Sequence, residues 1–545
     1  MPDTRSIAHR SAALIVILLA VTSLPYLYAR LSAPADVVYT GLMYDVPDHA
    51  QYWSWVTASR RALFISNTMT PEANSPVFMN PMMWLLARVQ GALGLSFPAL
   101  FQWWRAGVVI LFVPLLLAFV RALVPESDRR PVALWLALVG SGFGWIWVVA
   151  KKFSAAAEVA FPHDLYTLEP NTFWALLGYP YILLAHALLL ATFLGAWLAH
   201  RGKGWPAFVL AGVASACLSF SHAYDLITVY AVLGLFGVIE WISTRQLPTR
   251  LAAVGVVIAS LSGPAALYYQ RLTTGDPLWR AILGQYVNAG VWTPPHWHLI
   301  ILMGLPLLLA VLGLVPVGGW TAERRFLAVW AVTGLSLIYL PVVYQIKLLS
   351  GWQFPIAILA TYGWHERAAS RLRDRKIWRP ATAALVAVAS LTNLYLFAWR
   401  FVDLRRHSAP YFLHREVVDA LDWLAAHARP SDLVLAPLEI GQFIPNYGAS
   451  RTYVAHWAMT NRFYERRTNA DRFFDPKTSE AWRVDLLERE HVTLVLRSDW
   501  PSSDAAPYDG RPSTRSEAMF LRPHVQIYRV RPTSDPASTV GSRNR

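Results

Sequence analysis

The chain has 545 residues, of which 55% are hydrophobic and only 15% charged; an average soluble domain carries roughly 25% charged residues, so the composition excludes an ordinary soluble fold and implies a polytopic membrane protein. Its 25 tryptophans suit the headgroup layer, where an indole keeps its ring in hydrocarbon and its N–H in water. The net charge of +14 lies largely in connections between apolar runs rather than on one basic face, which argues for topology and against a nucleic-acid partner; the single cysteine, Cys217, forms no intrachain disulfide.

A bilayer core of roughly 30 Å needs about 20 apolar residues per helix. Runs of that kind occur near 12 to 31, 100 to 123, 131 to 150, 173 to 199, 205 to 221, 226 to 243, 251 to 269, 297 to 317, 326 to 345, 349 to 364 and 380 to 399, giving eleven candidate spans. Lys and Arg concentrate in alternate connections: Arg5 and Arg10, then Arg121, Arg129 and Arg130, then Arg201 and Lys203, then Arg245 and Arg250, then Arg324 and Arg325, and last Arg367 to Arg379. The positive-inside rule puts these in the cytoplasm, with a cytoplasmic N-terminus and a tail from about 401 outside, in a multi-pass protein of the plasma (inner) membrane. The run at 349 to 364 is short and holds Pro355, which suggests a broken or re-entrant helix. Arg5 and Arg10 before an apolar core also fit a signal peptide, but the core is long and Tyr26-Leu-Tyr-Ala-Arg30 is a poor cleavage site.

This topology places loops 32–99, 151–172 and 270–296 on the outer face. In the first, Ala50 to Leu63 and Pro81 to Leu95 alternate with helical spacing, as helices lying along the membrane surface or packed on the bundle would. Beyond 401 the pattern changes to helices at 416–427, 460–473 and 478–489 among strands at 433–436, 451–457, 491–497 and 524–531. That alternation predicts an extracytoplasmic α/β domain over 401–532, after a transmembrane module over 1–400; residues 533–545 are Ser, Pro and Arg rich and read as disordered.

The outer loops hold the groups that can do chemistry. Asp45, Asp48 and His49 lie in Tyr39-Thr-Gly-Leu-Met-Tyr-Asp-Val-Pro-Asp-His-Ala-Gln-Tyr52, directly after the first span. A charge at mid-bilayer costs roughly 3 kcal/mol, so acids beside a span mark its watery mouth. A carboxylate there can act as general base toward a hydroxyl. Asp48 with Glu72, Asp164 and Glu169 supplies the oxygen ligands that Mg²⁺ or Mn²⁺ prefers, although loop residues and helix caps have the same composition. His222 and Asp225 bracket a tight turn between spans, where capping is the competing role. Lys347 is a cation on the outer side, against the charge bias, so either an anion such as a lipid phosphate holds it or it snorkels to headgroups; Arg271 and Arg105 are weaker cases of the same kind. Trp457, Phe463 and Tyr464 could stack on sugar rings or sit in a core. Phosphate-loop, His-Glu-x-x-His, Cys-x-x-Cys and Gly-x-Ser-x-Gly motifs are all missing, which argues against a nucleotide-driven pump.

The Asp45-x-x-Asp48-His49-x-x-Tyr52 segment, the surface helices, the many spans and the tail together resemble the GT-C superfamily of membrane glycosyltransferases, in particular bacterial proteins related to protein O-mannosyltransferases and aminoarabinose transferases. Glu169-Pro-Asn-Thr-Phe-Trp-Ala-Leu-Leu-Gly-Tyr-Pro180, Ser221-His-Ala-Tyr-Asp225, Gln345-Ile-Lys-Leu-Leu-Ser-Gly-Trp-Gln-Phe-Pro355, Glu439-Ile-Gly-Gln-Phe-Ile-Pro-Asn-Tyr447 and Tyr453-Val-Ala-His-Trp457 carry the same likeness. The resemblance implies transfer of a sugar from a polyprenyl-phosphate donor to a glycan, lipid or protein acceptor during cell-envelope assembly. It makes Asp48 or Asp45 the first-loop base or metal ligand. O-mannosyltransferases have adjacent Asp-Glu here, whereas His49 follows Asp48 and the second acid lies three residues earlier. A lipid-linked sugar flippase would also want many spans and a cation, but would place its charges at mid-membrane in repeated halves; a non-enzymatic envelope scaffold would leave the acids incidental.

Overall fold

The computed structural model describes residues 4–153, 165–285, 292–368, 375–448, 450–500, 512–513 and 516–531. Asp164 and the segment 533–545 lie outside them. The chain divides into two compact units: one of Met1–Ala29, Pro98–Gly275 and Tyr286–Arg405, the other of Arg30–Phe97, Asp276–Gln285 and Arg406–Arg545. The second therefore gathers the first loop and the tail into one body.

The first unit is helical, and each of the eleven apolar runs contains helix. Among the described residues, five helices are long and apolar enough to cross a membrane: Ser11–Ser32, Phe97–Leu123, Pro180–His200, Asp225–Thr244 and Thr249–Gly275. Counting two bent pairs, Arg130–Val139 with Gly144–Phe153 and Lys376–Ala389 with Leu391–Leu404, brings the total to seven. Pro180–His200 is apolar all round because it is buried on nearly all sides. Helix Gln353–Gly363 rises only about 16 Å and cannot span alone.

Broken helices expose backbone polar groups that lipid cannot satisfy, so other protein groups must. Here the breaks satisfy one another. At 140–143, Ser141 N–H and Oγ–H both donate to Ala389 O (2.6 and 2.8 Å), Phe143 N–H donates to Ile301 O (2.7 Å) and Trp145 N–H to Thr392 Oγ1 (3.1 Å). Gln353 Nε2 donates to Leu136 O and Gly140 O. Helix His298–Gly313 kinks at Gly304, whose φ of 57° and contact with Gly142, 2.9 Å from where a Cβ would stand, admit only glycine.

Charged groups lie at both ends of this unit. Arg129 and Arg324 reach Glu366 (3.3 and 2.6 Å), and Arg325 reaches Glu240 (2.6 Å), so arginines of two basic connections meet at Glu366. Glu240 ends the helix that Asp225 begins, about 22 Å away along its axis. Asp225 thus belongs to the opposite end.

In the second unit β1 (Val37–Tyr39) is followed by β2 (Phe64–Ile65) and β3 (Phe78–Met79), which pair with each other; β4 (Phe412–His414) pairs antiparallel with β1. The tail then builds a mixed sheet from β5 (Leu433–Leu435), β6 (Arg451–Thr452), β7 (Leu494–Ser498), β8 (Ser516–Leu521) and β9 (Val525–Val530), in the order β6-β5-β7-β9-β8. β5 runs parallel to both β6 and β7, while β9 runs antiparallel to β7 and β8. Helices Phe463–Phe474 and Glu480–Arg489 close Leu433, Leu435, Tyr453, Phe473, Leu486 and Val495 into a core. Phe463 and, in part, Trp457 are core residues, whereas Tyr464 is exposed. The first-loop helices are Val46–Ser59 and Pro81–Leu93. Strand β6 stops at Thr452, short of the expected 451–457, because Thr460 Oγ1 captures the N–H groups of Ala455 and His456 and turns the chain.

Candidate functional site

Two polar constellations stand out, one in each unit. That of the second unit starts at helix Val46–Ser59. Asp45 precedes it at φ 29° and ψ 59°, a conformation few residues other than glycine, Asn or Asp adopt. Its main-chain oxygen accepts from His49 N–H (3.2 Å) and Nδ1–H (3.0 Å), which pins the turn. His49 is buried and packs edge-on against Tyr52, itself against Trp55, so His49 and Tyr52 shape the helix start. The Asp45 side chain is exposed.

Asp48 lies in the first helical turn, where the positive end of the helix dipole favours a carboxylate. Its Oδ1 is 3.0 Å from Nε2 of His456, a tail residue whose side chain is 1% exposed. Ala458 N–H donates to His456 Nδ1 (3.1 Å), so that nitrogen carries no proton and Nε2–H donates to Asp48. The turn holding His456 is laced to the first loop: Thr460 Oγ1 donates to Met69 O (2.6 Å), Asn67 Nδ2 to Met459 O (2.8 Å), and Asn461 N–H to Thr70 Oγ1 (3.2 Å). Sequence reading singled out Asp48 but gave His456 no role; its only signal was its place in Tyr453-Val-Ala-His-Trp457.

Glu72 is held nearby in the same loop. Its Oε1 accepts from Arg466 Nη2 (2.8 Å) and Asn461 Nδ2 (3.0 Å), and Thr70 hydrogen-bonds Oε2. Burial opposes its charge, but Thr70, Arg466 and Asn461 outweigh it and hold the carboxyl below the usual glutamate range.

In the first unit, Glu169, His222, Asp225 and Lys347 join one network. Lys347 Nζ donates to Glu169 Oε1 (2.6 Å), so the anion that holds this cation is a carboxylate of the same chain. The Glu169 carbonyl bonds His186 Nε2 (3.0 Å) and accepts from Gly351 N–H (3.4 Å). Ser350 Oγ donates to Asp225 Oδ2 (3.1 Å), which lies 2.8 Å from His222 Nδ1. That last contact is too bent for a hydrogen bond, and Asp225 Oδ1 is buried with no bonded partner. Tyr224 OH meets His222 Nε2 at 2.8 Å and its ring stacks on Tyr344.

Two candidates fall elsewhere. Arg105 is buried, donating to Thr22 Oγ1 (2.5 Å), Ser23 Oγ (2.6 Å) and Gln102 Oε1 (3.0 Å) over the Tyr26 ring, and so clasps two helices. Arg271 is exposed on helix Thr249–Gly275. Among the described residues no three His, Cys, Asp or Glu side chains are arranged to hold a metal ion. Asp48, Glu72 and Glu169 each accept a hydrogen bond from a protein donor, and Asp164, the fourth expected ligand, lies outside the described residues.

No protein-family model matches the chain, and no curated protein matches it. Solved structures do. The oligosaccharyltransferase of Archaeoglobus fulgidus, tethered to an acceptor peptide with an NVT sequon, aligns over 88% of this chain and 69% of its own at 12% identity and TM-score 0.54. The same enzyme, AglB, with an inhibitory peptide and a dolichol-phosphate aligns over 88% and 69% at 12% identity and TM-score 0.51. ArnT from Cupriavidus metallidurans bound to undecaprenyl phosphate aligns over 96% of this chain and 99% of its own at 13% identity and TM-score 0.48. The alignment over most of the chain gives this protein the fold of that oligosaccharyltransferase.

Proposed function

We propose that the chain is a membrane glycosyltransferase that moves a sugar from a polyprenyl-phosphate carrier to an acceptor hydroxyl on the extracytoplasmic face. The observation that carries this reading is the Asp48–His456 bond: a first-loop carboxylate in a GT-C fold, held at one oxygen by a buried imidazole of fixed tautomer. AglB has been solved with a dolichol-phosphate and with an acceptor peptide, which favours a lipid-phosphate donor here.

In the proposed reaction Asp48 takes the acceptor's proton as the acceptor oxygen attacks the anomeric carbon. The bond from that carbon to the phosphate oxygen breaks, its electron pair stays on the phosphate, and polyprenyl phosphate leaves. The His456 N–H keeps Asp48 oriented in the meantime. No step is routed through a metal ion. Eleven crossings, a cytoplasmic N-terminus and an outer tail in the inner membrane complete the proposal.

The test is release of labelled sugar from polyprenyl-phosphate sugars by purified protein and by Asp48→Asn. Loss of roughly 10² to 10⁴ in rate, with normal expression, is expected. Full activity in Asp48→Asn and Asp45→Asn would sink the reading. A lipid-linked sugar transporter shares the broken helices at 140–143 and Gly304, and binding without release of sugar would favour it.

A further inference from the structure

Four interruptions of the first unit's helices border one small cavity. Gly140 and Ser141 follow helix Arg130–Val139, Met303 precedes the kink at Gly304, Gln353 opens helix Gln353–Gly363, and Thr167 and Asn171 belong to the turn before helix Thr172–Gly178. The cavity leaves about 10 Å³ for the centre of a water molecule, which is room for one. Thr167 is 2% exposed, and its Oγ1 is buried with no hydrogen-bond partner among the described residues. A hydroxyl is costly to bury in that state, so its place on the wall of a cavity points to an occupant.

We infer that this cavity is a specific site for a single water molecule, bound by Thr167 Oγ1 and shared with the polar groups of the surrounding helix breaks. The lining has capacity for the roughly three hydrogen bonds that a buried water makes. Asn171 Nδ2 spends one N–H on Asn393 Oδ1 (2.8 Å) and has a second to give. Ser141 Oγ donates its proton to Ala389 O (2.8 Å) and keeps its lone pairs, and Gln353 Oε1 accepts from Thr172 N–H (2.7 Å) with one lone pair to spare. Cavities that stay dry have apolar walls, and four polar side chains on this wall argue for a wet one. A cation would need several free oxygens, whereas Gly140 O already accepts from Gln353 Nε2 (2.8 Å) and Asn393 Nδ2 (3.3 Å).

The site has a consequence for the turn at 167–171. Asn171 N–H donates to Leu168 O (2.9 Å) and Asn171 Oδ1 accepts from Trp174 N–H (3.1 Å), while Glu169, between Thr167 and Asn171, holds Lys347 at 2.6 Å. A water bonded to Thr167 on one side and Asn171 on the other fixes the ends of that turn, and so positions Glu169 without touching its carboxylate. The site stands whether or not the protein transfers sugar.

The experiment is X-ray radiolysis of full-length protein in nanodiscs, with methionine oxidation read by mass spectrometry. Radiolysis makes hydroxyl radicals from a bound water where it sits, so it labels a buried methionine beside that water. Met303, 4% exposed, should be oxidised several-fold faster than Met69 and Met83, both 0% exposed, while hydrogen peroxide added from bulk should oxidise all three slowly. Thr167→Val removes the hydroxyl at nearly constant volume and should bring Met303 down to the rate of Met69; Thr167→Ser keeps the hydroxyl and should label like the parent. Equal rates for the three methionines in the parent would overturn the inference, as would rapid oxidation of Met303 by peroxide, which would mean access from bulk. A folded Thr167→Val protein that labels like the parent would overturn it too, and the parent and Thr167→Ser decide the matter if the valine variant does not fold. Parent labelling that changes when choline replaces Na⁺ and K⁺ would assign the cavity to a cation and likewise overturn it.

Discussion

His456 Nε2 lies 3.0 Å from Asp48 Oδ1 although 408 residues separate them in the chain. The tail therefore contributes to the first-loop constellation, and in the proposed reaction His456 acts through Asp48 rather than directly. His456→Ala should lower kcat by up to about 100-fold with little change in KM, since a slightly misplaced base loses rate rather than substrate. His456→Gln offers an amide N–H at similar reach and should recover part of the loss. Equal loss of thermal stability and activity in both variants, with no recovery in the glutamine, would mean that the imidazole only supports the turn. Sugar release under single-turnover conditions and unfolding in detergent make the comparison.

The Lys347–Glu169 pair gives a different expectation from a lysine that waits for lipid. Glu169 is 5% exposed and its Oε1 bonds the ammonium at 2.6 Å. Lys347→Met leaves that carboxylate buried against an apolar side chain and should destabilise the protein by about 3 kcal/mol, the range for breaking a buried pair. Adding Glu169→Gln should recover most of it. If the single variant melts with the parent and the double variant is worse, the pair is not the anchor of the turn at Gln345–Leu349.

Asp48, Lys347, Asp225 and Glu169 were legible in the sequence because charge beside an apolar run is rare and local. Their partners were not. Glu169 is 178 residues from Lys347, and His456 is 408 from Asp48. Periodicity reports which face of a helix is apolar but nothing about which distant segment meets a loop. The helical spacing expected from Pro81 to Leu95 matches helix Pro81–Leu93, which Asn80 caps. The strand expected over 451–457 ended early because one hydroxyl, Thr460, bends it, and β8 escaped notice because an exposed edge strand has no buried face to impose alternation. Arg105 looked like an outer cation, yet its donors are spent on Thr22, Ser23 and Gln102.

Glu72 predicts the pH response of the first-loop connection. Its folded carboxyl is held below its ordinary value, about 4.3, despite burial, by Thr70, Arg466 and Asn461. The ionised form therefore stabilises the fold fully above the unfolded value, and this contribution is lost as pH falls through the lower folded value. Glu72 is about a third exposed, so about 1–2 kcal/mol is the expected size after screening. Glu72→Gln should unfold more easily than the parent at neutral pH, and the two should converge in acid. A gap that persists or widens as the pH drops would show that the Arg466 contact is not what the charge supports.

Gly351 offers the most direct check on the turn that carries Lys347 and Ser350. Its φ is 70°, and a Cβ there would stand 2.6 Å from Leu189 Cδ2. Alanine therefore faces two separate penalties: a left-handed backbone, worth about 1 kcal/mol, and a clash with a leucine on the largely buried helix Pro180–His200. Leu189→Ala relieves only the clash, at the expense of a cavity. Gly351→Ala should lower the melting temperature by several degrees, and in the Leu189→Ala background the same change should be less damaging but still unfavourable, by about the backbone term. Neutrality of Gly351→Ala in the parent would mean that the turn adopts another backbone conformation, and with it that Ser350 does not reach Asp225.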